Sequence, residues 1–202
     1  MKYHAPKKTR SARMLMTVLT IGHSTQTLET FLRLLQAREV TRVVDIRTIP
    51  RSWHNPQFNK ETLPKALPAV GIAYEHMVGL GGLRHSRAGS INTAWHNASF
   101  RGFADYMQTA EFHNALQALL ELASRERVAL MCAEAVPWRC HRLLIADALV
   151  VRKVQVEHII SGVRTQFHSV TPWACVKGGE ITYPSQREVV TPRTAKRIAV
   201  TR

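Results

Sequence analysis

Residues 128–151 read VALMCAEAVPWRCHRLLIADALVV, and this stretch decides the fold. Val128–Cys132 has the length and apolar composition of a buried strand. After a polar turn, His141–Val151 is apolar along nearly its whole length, as a helix in a core would be. The same strand-then-helix unit recurs on the N-terminal side. Met14–Ile21 is a β-branched run that stops at Gly22. Ser24 or Thr25 can then cap a helix whose Leu28, Phe31, Leu32 and Leu35 share one face. Arg42–Ile46 reads as a second strand, Glu61–Ala69 as a short helix broken or bent by prolines, and Ile72–His76 as a third strand. Residues 79–99 read as a long loop. Helical stretches near 100–109 and 111–124 lead into Val128, and Val154–Ile159 adds a fifth strand. Beyond Gly162 the pattern weakens, with strands around Arg164–Val170 and Glu180–Tyr183. The alternation specifies an α/β fold: a mostly parallel open sheet with helices on both faces and long polar loops at the strand carboxyl edge.

The chain has 202 residues, 45% hydrophobic and 21% charged, which suits one domain with a real core and excludes a disordered or collagen-like chain. No apolar run reaches the roughly 18 residues of a spanning helix, so no membrane partner is expected. Three cysteines are too few for a disulfide scaffold and point to a reducing, cytoplasmic setting. The formal charge is +14. Residues 1–13 carry +5 of it and residues 182–202 carry +4, leaving +5 for everything between. The expected organisation is a basic tail over 1–13 without order of its own, a single α/β domain over 14–162, and a weakly structured basic extension over 163–202. The run Met14–Ile21 is too short for the apolar region of a secretory signal, and a plain basic tail ranks above an Arg-rich transit peptide.

Ligands of open α/β sheets bind outside the carboxyl ends of the strands. At those ends stand Gly22-His23-Ser24, Asp45 with Arg47 and Arg51, Glu75-His76, and Cys132-Ala133-Glu134. Cys140-His141-Arg142 opens the following helix. Four polar groups at one edge predict a cleft there. Cys132 reads as a thiol nucleophile near cationic groups, with Glu134 as an alternative acid–base group. Cys132, Cys140 and His141 could instead hold a divalent metal, although seven residues between the cysteines fit no compact metal motif. Buried structural cysteines are the plainer alternative. A phosphatase-type loop is excluded, because Trp138 stands where its arginine should be and Arg139 is one place late. Cys175 is incidental.

Arg47, Arg51 and Arg142, with Ser24 and Asp45, suit binding of a phosphate or carboxylate, aided by a helix N-terminus. The bland counterpart pairs these arginines with Asp45, Glu75 or Glu134. His23, His76 and His141 can serve as general bases or as hydrogen-bonded supports. Gly79-Leu80-Gly81-Gly82 reads as a turn or lid base. Trp53, Phe58 and Trp95 are expected to anchor long loops rather than stack on a ligand ring.

The ordered motifs Thr20-Ile21-Gly22-His23-Ser24, Val44-Asp45-Ile46-Arg47, Pro50-Arg51-Ser52 and Asn55-Pro56-Gln57-Phe58 resemble the bacterial family called domain of unknown function 488. The likeness continues through Gly71-Ile72-x-Tyr74-x-His76, Leu80-Gly81-Gly82, Cys132-Ala133-Glu134 and Cys140-His141-Arg142, over roughly residues 17–160. It implies a compact cytoplasmic α/β domain and carries no assigned activity. The expected function is an enzyme that binds a phosphorylated or other anionic substrate, a nucleotide or nucleic acid among them, in a Cys/His/Arg-lined cleft. A non-catalytic nucleic-acid-binding module using the basic tails is the alternative. A metal-binding or redox-sensing protein is the third.

Overall fold

Side chains that alternate between two buried faces organise the centre of the molecule, a computed structural model in which residues 16–162 and 164–185 are described. Five parallel strands form the sheet: β1 (Thr17–Gly22), β2 (Arg42–Asp45), β3 (Ala73–His76), β4 (Val128–Cys132) and β5 (Gln155–Ile159). An antiparallel edge strand, β6 (Thr165–Phe167), joins β5, and the order across the sheet is β3-β2-β4-β1-β5-β6. Along β4, Val128, Leu130 and Cys132 face one layer while Ala129 and Met131 face the other. Every residue of β4 is buried, so its continuous apolar run is that of a central strand covered on both faces.

One face is covered by α1 (Leu28–Gln36) and the short α2 (Leu63–Ala66), which supply Phe31, Leu34, Leu35 and Leu63. The other is covered by α3 (Ala98–Tyr106), α4 (Ala110–Ala123) and α5 (Arg142–Val151), which supply Phe103, Phe112, Leu116, Leu119, Leu144 and Ile145. Each such fully buried side chain contributes about 1.5–3 kcal/mol. Thr27, not Ser24 or Thr25, caps α1, accepting a hydrogen bond from Thr30 N at 3.2 Å. The α/β class and the helices on both faces are therefore as the alternation requires.

Local departures have local causes. β1 begins at Thr17, residues 14 and 15 of the expected strand lying outside the described residues. The expected helix Glu61–Ala69 is two pieces, α2 and a 3₁₀ turn at Leu67–Val70, each with a proline in its first turn. The helix is thus broken rather than bent, each proline starting a new helical turn. Loop 79–99 is tied down by Asp105 of α3, which accepts from Arg87 N, Ser90 Oγ and Asn92 Nδ2 at 2.6–2.8 Å.

The packed body does not stop at 162. Beyond β6 comes a hairpin of β7 (Cys175–Lys177) and β8 (Glu180–Thr182), whose turn uses Gly178 and Gly179 at positive φ. Tyr183 is fully buried and donates to Asp147 of α5 at 2.8 Å. Short polar strands carry little periodicity, which is why they read as a weak extension. The 1–13 tail and residues 186–202 lie outside the described residues. Among the described residues no helix is long and apolar enough to cross a membrane.

Candidate functional site

The crossovers from β1 and β2 run to one face and those from β3 and β4 to the other. β4 lies between β1 and β2, so the loops leaving its carboxyl end and theirs diverge to opposite sides. A crevice opens at such a switch point in a parallel sheet. The backbone narrows its floor. His23 N and Ser24 N donate to Cys132 O and Ala133 O at 3.0 and 2.9 Å, carrying the β1–β4 ladder past the strand ends. Gly22 is required there, because a Cβ would overlap the Glu134 carbonyl and come within 2.8 Å of the Arg142 guanidinium. Gly82 plays the same part against the ring of His141.

Two sulfurs meet at this floor. Cys140 Sγ lies 2.9 Å from Cys132 Sγ, with both side chains buried and both thiols free. Arg142, itself fully buried, directs Nη1 to Cys132 Sγ at 3.1 Å and Nη2 to Ala135 O at 2.8 Å. Burial pushes the Cys132 thiol up. The hydrogen bond from Cys140 and the Arg142 charge outweigh it, leaving Cys132 below the usual thiol value. Cys140, which donates that bond and is buried against the Cys132 charge, is held well above it. Of the two, Cys132 is the sulfur that gives up its proton first and Cys140 the one that keeps it.

His141 Nε2 donates to Ile46 O and Leu80 O at 3.2 and 3.0 Å, so its Nδ1 lone pair faces Cys140 Sγ at 3.6 Å. Burial lowers its pKa to about 4, and the imidazole is neutral. Among the described residues no group of three or more His, Cys, Asp or Glu side chains is arranged to hold a metal.

Arg47 is an internal support. Its guanidinium forks onto Asp45 at 2.9 and 2.6 Å, and Nη2 also donates to Phe58 O at 2.7 Å. Asp45, fully buried, accepts further from Tyr74 OH at 2.9 Å. Arg47 Nη1 reaches His23 Nε2 at 3.1 Å while His23 Nδ1 donates to Ser24 O at 3.0 Å, so both ring nitrogens are engaged. Burial lowers the His23 pKa to about 4, and its neutral ring stacks on Phe58 at 4.4 Å. His76 Nε2 donates to Arg47 O at 2.8 Å. Pairing with Asp45 thus accounts for Arg47, as the plainer reading had it, while Glu75 pairs with Arg42 instead.

The crevice above has a volume of about 470 Å³. His23, Arg47, Arg51, Cys132, Glu134 and His141 line it, together with Cys140, Arg139, Ser52 and Gly82. Ser24 lines an adjoining hollow that shares His23, Ser52, Glu134 and Arg139. Asp45, His76 and Arg142 line neither, lying behind the residues they support. Arg51 and Arg139 are exposed in it. Phe58 and Trp95 are packed inward as expected, but Trp53 is 92% exposed and anchors nothing.

A second buried array went unread in the sequence. Thr20 Oγ1 meets His158 Nδ1 at 2.7 Å, His158 Nε2 meets His168 Nδ1 at 3.1 Å, and His168 Nε2 meets Asp147 Oδ1 at 2.8 Å. The available signal was Asp147, a lone carboxylate in an apolar helix.

Residues 27–149, more than half of the chain, match the family model described as domain of unknown function DUF488. The match begins after β1, so His23 and Ser24 lie outside it. No curated protein and no solved structure matches the chain.

Proposed function

The chain belongs to the domain of unknown function 488 family, and from the geometry of its cleft we propose that it is a thiol-dependent enzyme acting on an anionic substrate. One observation carries this reading: Cys132 Sγ stands at the wall of an open cleft with the Arg142 guanidinium at 3.1 Å and the Cys140 thiol at 2.9 Å. Both contacts favour the thiolate, the form that attacks electrophiles. Glu134, whose carboxylate has no ion-pair partner among the described residues, is the acid–base group beside it.

Arg139 and Arg51 bind the anion rather than Arg47, since the Arg51 pair with Glu61 is exposed and long at 3.6 Å whereas Asp45 holds Arg47 in a buried pair at 2.6 Å. Trp138, 55% exposed, lines the adjoining hollow together with Arg139. Aromatic faces beside arginines suit a substrate that carries a ring as well as charge, such as a nucleotide. Reduced, adjacent thiols fit work in the cytoplasm.

The test is the pH profile of Cys132 alkylation by iodoacetamide, followed at that peptide by mass spectrometry. The midpoint should lie below the roughly 8.5 of a free thiol, and Arg142→Met should raise it. Adenosine monophosphate should slow alkylation saturably, and Arg139→Ala should weaken that protection severalfold. An ordinary midpoint with no protection by the nucleotide would overturn the reading.

A further inference from the structure

We propose that Cys132 and Cys140 form a hydroperoxide-reactive dithiol, with Cys132 the attacking sulfur and Cys140 the one that resolves it into a disulfide. The sulfurs are already 2.9 Å apart, so a bond between them, ordinarily about 2.05 Å, needs only a small approach. The inference deepens the thiol-enzyme reading by giving Cys140 a task in the same cleft.

The chemistry closes on residues present. The Cys132 thiolate, stabilised by Arg142 Nη1 at 3.1 Å, attacks the terminal oxygen of a hydroperoxide. The O–O bond breaks, the alkoxide or hydroxide leaves and takes a proton from water, and Cys132 becomes a sulfenic acid. Cys140 then attacks the Cys132 sulfur, and the sulfenic hydroxyl departs with the Cys140 proton as water. Two thiols and one hydroperoxide give one disulfide, one alcohol (or water) and one water, the sulfurs losing two electrons and the peroxide gaining them. His141 Nδ1, 3.6 Å from Cys140 Sγ and bearing a lone pair because Nε2 donates to two carbonyls, accepts the Cys140 proton in passing.

Burial selects the oxidant. Cys132 is 2% exposed and Cys140 5%, so each sulfur is reached only through the cleft. A protein disulfide or glutathione disulfide is too bulky to meet a sulfur placed this deep, whereas hydrogen peroxide or a small alkyl hydroperoxide is not. Cys175 sits on β7 of the small hairpin and is outside the pair.

The full-length reduced protein is treated with stoichiometric hydrogen peroxide, and its thiols are counted after denaturation. The count should fall from three to one, with a mass loss of two hydrogens and a Cys132–Cys140 cross-linked peptide that dithiothreitol reverses. Cys140→Ser should stop at a sulfenic acid trapped by dimedone on Cys132. Cys132→Ser should keep both remaining thiols, and Cys175→Ser should form the cross-link as the parent does. Three surviving thiols, or a disulfide made through Cys175 or between two chains, would refute the dithiol. That result, with a low alkylation midpoint and nucleotide protection intact, would leave the thiol-enzyme reading standing. A Cys132–Cys140 disulfide without either of those properties would support the dithiol and overturn the enzyme.

Discussion

At Gly22 a missing side chain decides whether the site exists. Any Cβ there enters the space of the Glu134 carbonyl and presses on the guanidinium that faces Cys132. Gly22→Ala should cost about 1–3 kcal/mol through overpacking. It should also raise the alkylation midpoint of Cys132, because Arg142 must give way. Urea unfolding and the alkylation profile read the two effects separately, and a stable variant with an unchanged midpoint would refute the close approach. The sequence placed Gly22 at a strand end but gave no sign that the residue beneath it would be a carbonyl from position 134. That contact joins residues more than a hundred positions apart and depends on β1 and β4 being neighbours.

Among the elements, the least legible turned out to be structural. The hairpin β7–β8 and strand β6 carry three residues each, too few for periodicity to speak. They are held by Ile181 and Tyr183, buried in the core, and by polar contacts to α5: Thr171 N and His168 donate to Asp147 Oδ1, and Tyr183 OH to Oδ2, all at 2.8 Å. Tyr183→Phe keeps the ring and removes one donor from a buried carboxylate, which should cost about 1–3 kcal/mol. Chemical denaturation checks this, and a loss near zero would mean that the Tyr183–Asp147 hydrogen bond contributes nothing to the fold. The long elements were legible for the opposite reason. α4 and α5 present several buried residues each, so pattern alone identified them within a residue or two of their ends.

For the molecule as a whole, acid is the revealing variable. His23, His141 and His158 are buried and neutral, with pKa values lowered to about 4, 4 and 3. The unfolded chain protonates them near 6.5, so between pH 6.5 and 4 it binds more protons than the native state, and stability falls as pH falls. Each histidine should remove roughly 1 kcal/mol per pH unit in that window. The urea midpoint should therefore drop clearly from pH 7.0 to pH 5.5, and an unchanged midpoint would refute the neutral assignments. Strand and helix periods, the α/β class and the edge that carries the polar residues were all determined by the sequence, because burial on alternate faces leaves a local record. Which partners those residues take was not. Arg47 belongs to Asp45 and Arg142 to Cys132, while Trp53 lies in water and Cys140 meets Cys132 across seven intervening residues. Strand order, 3-2-4-1-5-6, set those pairings, and a chain's local pattern does not encode which strands become neighbours.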